Sequence, residues 1–173
     1  MMSTFALILA IFLQQTIPEP QTHTLILGDS LACGSRAYVK NTKNTNEKVS
    51  WACKGSTRVE YWAGKRIQVA LKAHPQTDTV IVFLGTNNYL DKKTPPVGPI
   101  LEALTDQSVR CIWVGPTAVK KQKRVINDLL KKAVEKRCIF VSTYDLNIVL
   151  PDGIHPGKKG YKIWLKAIWE AKR

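Results

Sequence analysis

A short apolar run, Leu25-Ile26-Leu27, halts at Gly28-Asp29-Ser30 and gives way to a helix-capable segment. A run of that length and composition suits a strand buried on both faces, as in a parallel sheet. Gly28 and Asp29 suit a tight strand-to-helix turn, because glycine tolerates positive φ and aspartate bonds nearby backbone. Such a turn lifts the Ser30 hydroxyl to the top of the sheet, at the positive end of the next helix. A nucleophile gains most there, since developing negative charge meets backbone N–H groups already aimed at it. A serine after a strand also serves as an ordinary helix cap, so Gly-Asp-Ser alone decides little.

A nucleophilic serine needs a base, and the base needs an orienting carboxylate. The chain has three histidines, His23, His74 and His155. Asp152 precedes His155 by three residues in the loop Asp152-Gly153-Ile154-His155-Pro156, where one turn can bring carboxylate and imidazole together. Alone, that loop reads as a surface turn; paired with the Ser30 turn, it reads as the acid and base of a Ser-His-Asp triad. His23 and His74 take no role.

These stretches resemble the SGNH (GDSL-type) hydrolases, small serine esterases on a flavodoxin-like α/β fold. Gly28-Asp29-Ser30-Leu31 matches the nucleophile block, and Asp152-x-x-His155 matches the block carrying acid and base. Gly85-Thr86-Asn87-Asn88 matches the Gly-x-Asn-Asp block, with Asn88 where the family usually has Asp, a position that is mainly structural. Gly55, in Lys54-Gly55-Ser56-Thr57, is the candidate for the loosest block, which offers a glycine N–H. The resemblance implies an oxyanion hole built from the Ser30 and Gly55 N–H groups and the Asn87 amide, and no cofactor. It spans the chain from about Thr24 onward. It leaves open an O-acetyl esterase acting on a carbohydrate or wall polymer, a lysophospholipase or thioesterase, and a non-catalytic protein on the same fold.

The rest of the chain fits a three-layer α/β sandwich: a five-stranded, mostly parallel sheet with helices on both faces. Thr24–Leu27, Val49–Cys53, Thr79–Leu84, Arg110–Val114 and Cys138–Ser142 read as strands. Between them, a helix or irregular turn is expected from Ser30 to about Lys40, and helices within 57–74, from Pro99 to about Asp106, over 119–136, and over Tyr161–Lys172. Val69, Val125 and Ile163 are expected on inward faces. Ligands of such sheets bind beyond the carboxyl ends of the strands, where Ser30, Gly55, Asn87 and the Asp152–His155 loop all fall. Tyr61, Trp62 and Tyr89 follow these blocks, where they would line a cleft or pack in the core.

The chain of 173 residues has length for one domain, expected over 24–173, with a separate apolar segment over 1–23. Phe5–Leu13 is unbroken apolar sequence before Pro18-Glu19-Pro20, like the core of a secretory signal. It is too short for an ordinary membrane-spanning helix. Export to a secreted or periplasmic location is the expectation; an anchor at the membrane through Phe5–Leu13, or an apolar segment packed on the domain or a partner, is the alternative. The formal charge of +13 favours an anionic polysaccharide or membrane surface as partner. Lys120, Lys121, Lys123 and Arg124 belong to its densest stretch, either an acidic-polymer site or a solvated helix face. A nucleic-acid partner would rest on charge alone, without a motif. No Cys/His spacing suggests a metal. Cys33, Cys53, Cys111 and Cys138 are consistent with Cys33–Cys53 and Cys111–Cys138 disulfides in an exported chain, or with four buried thiols.

Overall fold

The computed structural model describes residues 21–39, 46–117, 121–144 and 146–173, with the backbone alone for 121–123. Most of the apolar N-terminal segment, with Phe5–Leu13, therefore lies outside the described residues, as does Lys120. Five strands, β1 (Thr22–Gly28), β2 (Glu47–Cys53), β3 (Thr79–Phe83), β4 (Arg110–Val114) and β5 (Ile139–Val141), form one parallel sheet in the order β2-β1-β3-β4-β5. β1 starts at Thr22, two residues earlier than its apolar run suggests, because Thr22 pairs with Glu47 and carries the ladder to the polar edge.

Among the described residues, six α-helices cover the sheet: α1 (Ser30–Ser35), α2 (Val59–Trp62), α3 (Lys65–Ala73), α4 (Gly98–Asp106), α5 (Lys121–Val134) and α6 (Lys158–Lys172). Alternate strand residues point to opposite faces and feed two separate cores. Leu25, Leu27, Val80, Val82 and Trp113 pack with Val59, Ile67, Ile100 and Ile126 from α2 to α5. Ile26, Ile81, Phe83, Ile112 and Val114 pack with Leu31 of α1 and with Tyr161, Trp164 and Ile168 of α6. On that second face Phe83 meets Trp164 edge to face, ring centroids 5.1 Å apart. The layers are therefore helix, sheet, helix, as expected.

The helices differ from expectation in detail. The amphipathic stretch over 57–74 is two helices, broken at Gly64, whose φ of 77° no other residue type adopts freely. α1 ends at Ser35, and turns continue from it to Val39. Val69, Val125 and Ile163 are exposed, not inward, because each lies one position off the stripe its helix presents. The second-layer contacts are instead made by Ile67, Ala70 and Leu71 in α3, by Ile126, Leu130 and Val134 in α5, and by Tyr161, Trp164 and Ile168 in α6. Among the described residues, no helix is long and apolar enough to cross a membrane.

Candidate active site

The register of the three strands β2, β1 and β3 builds the site. Gly28 lies beside both Cys53 and Phe83, so the chains leaving all three strands emerge together at one rim. The neighbouring backbones lock there: Asp29 N–H donates to Phe83 O (3.0 Å) and Lys54 N–H donates to Gly28 O (3.0 Å). Only glycine fits at position 28. Its φ is 149°, and a Cβ would sit 2.0 Å from Phe83 O.

The cap of α1 is Asp29, not Ser30: its Oδ1 accepts the Leu31 N–H at 2.9 Å. That frees the half-buried Ser30 side chain, at the first helical position, to face across the rim. There its Oγ lies 2.9 Å from His155 Nε2. His155 Nδ1 in turn lies 2.7 Å from Asp152 Oδ2. The other oxygen of Asp152 accepts two backbone N–H groups, from Ile154 (2.9 Å) and His155 (2.7 Å). The His155 N–H, then the His155 ring, then the Ile154 N–H hold the Asp152 carboxyl well below its ordinary range. Gly153 turns the loop at φ 75°, and Thr117 pins it by donating to Ile154 O at 2.8 Å. The Asp152 side chain is 57% and that of His155 40% exposed, so the array opens to solvent.

Asn87 sits in a 3-10 turn (Thr86–Asn88) after β3, launched by Gly85 at φ 112°. Its amide nitrogen donates to Thr57 O at 2.8 Å and to Asp29 Oδ2 at 3.3 Å. The segment from Lys54 to Thr57 is thus tied at one end to the Ser30 turn and at the other to the Asn87 turn. Gly55 is exposed on that segment with nothing within 4 Å of where a Cβ would be. Its backbone N–H is what the site can use; the absence of a side chain is not forced by space. Trp62 is core, Tyr61 is half-buried, and Tyr89 is exposed, so of these aromatics the last is the one that remains open to a ligand.

Asp29 itself was not legible as a site residue. It is wholly buried, and burial raises its carboxyl to about pH 7, against the Leu31 N–H and the His155 charge that favour ionisation. Asn88 is also wholly buried. Its Oδ1 accepts the Val59 N–H at 3.1 Å, and its amide donates to Asp91 (2.8 Å) and Glu60 (3.1 Å). Arg58 closes that network on Asp91 at 2.8 and 2.9 Å. An amide here supplies donors that an aspartate lacks, which accounts for the departure from Gly-x-Asn-Asp.

Cys33 of α1 is bonded to Cys53 of β2, and Cys111 of β4 to Cys138 before β5. The first bond ties the helix that starts with Ser30 to the strand that delivers Gly55.

No family model matches the chain, and no curated protein matches it in sequence. Solved structures do match in fold. EstA, a psychrotrophic esterase from Pseudoalteromonas sp., is 14% identical with a TM-score of 0.62, over 87% of this chain and 96% of that one. TesA is 14% identical with a TM-score of 0.63, over 88% and 98%. A catalytic mutant of Axe2, an acetylxylan esterase from Geobacillus stearothermophilus, is 14% identical with a TM-score of 0.65, over 88% and 94%. What such identities carry is the fold, and it is the fold that the resemblance in the sequence implies.

Proposed function

We propose that the chain is a serine esterase of the SGNH type, with Ser30 as nucleophile, His155 as general base and Asp152 as the residue that holds the imidazole. One observation carries the reading: the continuous Ser30–His155–Asp152 hydrogen-bonded array at the rim where the strand ends converge. His155 Nε2 takes the Ser30 proton as Oγ attacks the ester carbonyl, and Asp152 stabilises the resulting imidazolium. The Ser30 and Gly55 N–H groups and the Asn87 amide receive the oxyanion. Asn87 keeps its bond to Thr57 O and yields the longer one to Asp29. The proton then passes from His155 to the departing alcohol, and water, deprotonated by His155, releases the acyl group.

As substrate we favour an O-acetyl ester on a carbohydrate or wall polymer. The solvent-open acid–base pair suits an ester displayed on a large molecule, and acetylxylan esterases share the fold. Export to an oxidising compartment fits the two disulfides. A longer-chain acyl hydrolase is the second reading, favoured by Tyr89 and Leu90, exposed directly after the Asn87 turn. Acetyl and octanoyl esters separate the two, because each CH₂ buried in an acyl groove contributes about 0.8 kcal/mol.

Ser30→Ala should abolish hydrolysis of 4-nitrophenyl acetate. Asn87→Ala should lower kcat by about 3 kcal/mol of barrier, roughly a hundredfold, with the circular dichroism spectrum unchanged. Wild-type turnover in the first variant would end the proposal; in the second it would remove Asn87 from the scheme.

A further inference from the structure

The chain from Lys54 onward, tied to both turns, also carries charge. Lys54 and Arg66 are both exposed and converge on one aromatic ring, that of Tyr61. The Lys54 ammonium lies 4.9 Å and the Arg66 guanidinium 4.2 Å from its centroid. The ring is braced. Tyr61 packs edge to face on buried Trp62, whose indole donates to Thr57 Oγ1 at 3.0 Å, and that hydroxyl donates to Lys54 O at 2.8 Å.

Among the described residues neither cation has a carboxylate partner. The nearby Glu60 and Asp91 are taken by Arg58 and Asn88. Both cations are therefore left with donors that no described carboxylate occupies, beside a ring that fixes where they stand. The location gives the pair meaning: Lys54 directly precedes Gly55, and its backbone is bonded to Gly28, two residues before Ser30.

We propose that Lys54 and Arg66, braced on Tyr61, form a subsite for a carboxylate or phosphate group carried by the sugar polymer whose ester is presented to Ser30. The proposal rests on the esterase reading for its ester, but the anion site is a property of these side chains alone. The chain's charge of +13 attracts such polymers at long range, and this pair would set where the charged sugar sits relative to the scissile bond.

The test compares kcat/KM of wild type and the Lys54→Gln/Arg66→Gln double variant on three substrates: O-acetylated polygalacturonate, an O-acetylated phosphodiester-linked sugar polymer, and neutral O-acetylated xylan. Wild type should favour one of the anionic polymers over xylan, and which one identifies the group. In the double variant that ratio should fall about tenfold, and the charge-conserving Lys54→Arg/Arg66→Lys variant should restore most of it. Retention of each protein on immobilised, deacetylated anionic polymer supplies a readout that needs no turnover. Equal ratios and equal retention for wild type and double variant would overturn the subsite and leave the esterase reading standing. Retention lost only in the double variant, with no ester hydrolysed by wild type, would uphold the subsite and sink the esterase reading.

Discussion

Asp29 is the residue whose behaviour follows least from its place in the chain. A carboxyl is the ordinary choice to cap a helix, but here the β1–β3 register buries it completely, facing Asn87, His155 and the helix that carries Tyr161. In the folded protein it holds its proton to about pH 7; in the unfolded chain it releases it near pH 4. The folded state therefore binds the extra proton between those values, and stability falls as pH rises from about 4 to 7, by at most about 4 kcal/mol. Asp29→Asn, which cannot ionise, should flatten that decline in denaturant titrations at pH 5 and 7.5; an unchanged slope would refute it. Asp152 acts in the opposite sense below this window, its contribution being lost as acid protonates it. Ser30, Asp152 and His155 were legible because their chemistry is written in short local motifs. Asp29 was not, because its burial is decided by two strands that meet only in the fold. Gly55 gave a loose signal for a different reason: the role proposed for it belongs to its backbone N–H, and no steric demand ties that N–H to glycine.

Among the elements, the α2 start and the turn after β3 are held together by Asn88 rather than by packing alone. Asn88→Asp would install the residue that SGNH hydrolases usually have at the matching position. It should nonetheless destabilise this chain by about 2 kcal/mol, because a buried carboxylate would replace a donor to both Glu60 and Asp91. The penalty should shrink at pH 4.5, where carboxyls begin to protonate; thermal melts at the two pH values decide, and equal or higher stability at pH 7 would count against the network. Strand positions were close to legible throughout, since each is a short β-branched or aliphatic run bounded by turn residues. Helix faces were less so. A stripe on a helix covers only part of its apolar residues, and Val69, Val125 and Ile163 fall outside it. The break at Gly64 was visible as a glycine, but apolar periodicity runs across it.

For the molecule as a whole, the two disulfides have different reach. Each closes a loop of comparable length, 20 and 27 residues of separation, and each should contribute about 3 kcal/mol by restricting the unfolded chain. Their effects on catalysis should diverge. Replacing Cys33 and Cys53 with serine should lower kcat as well as stability, since that bond joins α1 to the strand preceding Gly55. Replacing Cys111 and Cys138 should lower stability while kcat, measured well below the melting temperature, stays near wild type. Equal kcat losses would show that the first bond has no special hold on the site. The sandwich was legible as a whole from strands alternating with helices, and the strand order places the Ser30 and Asn87 turns on either side of the crevice between β1 and β3, where the winding direction reverses.

Ser30 and His155 stand 125 positions apart along the chain, yet share one hydrogen bond. A ribosome building this chain releases the hydroxyl long before the imidazole exists, so an unfinished copy lacks the base that the proposed ester cleavage requires. The same separation would make turnover a gauge of assembly, because the hydroxyl follows β1, inside the sheet, and the imidazole follows β5, at one edge.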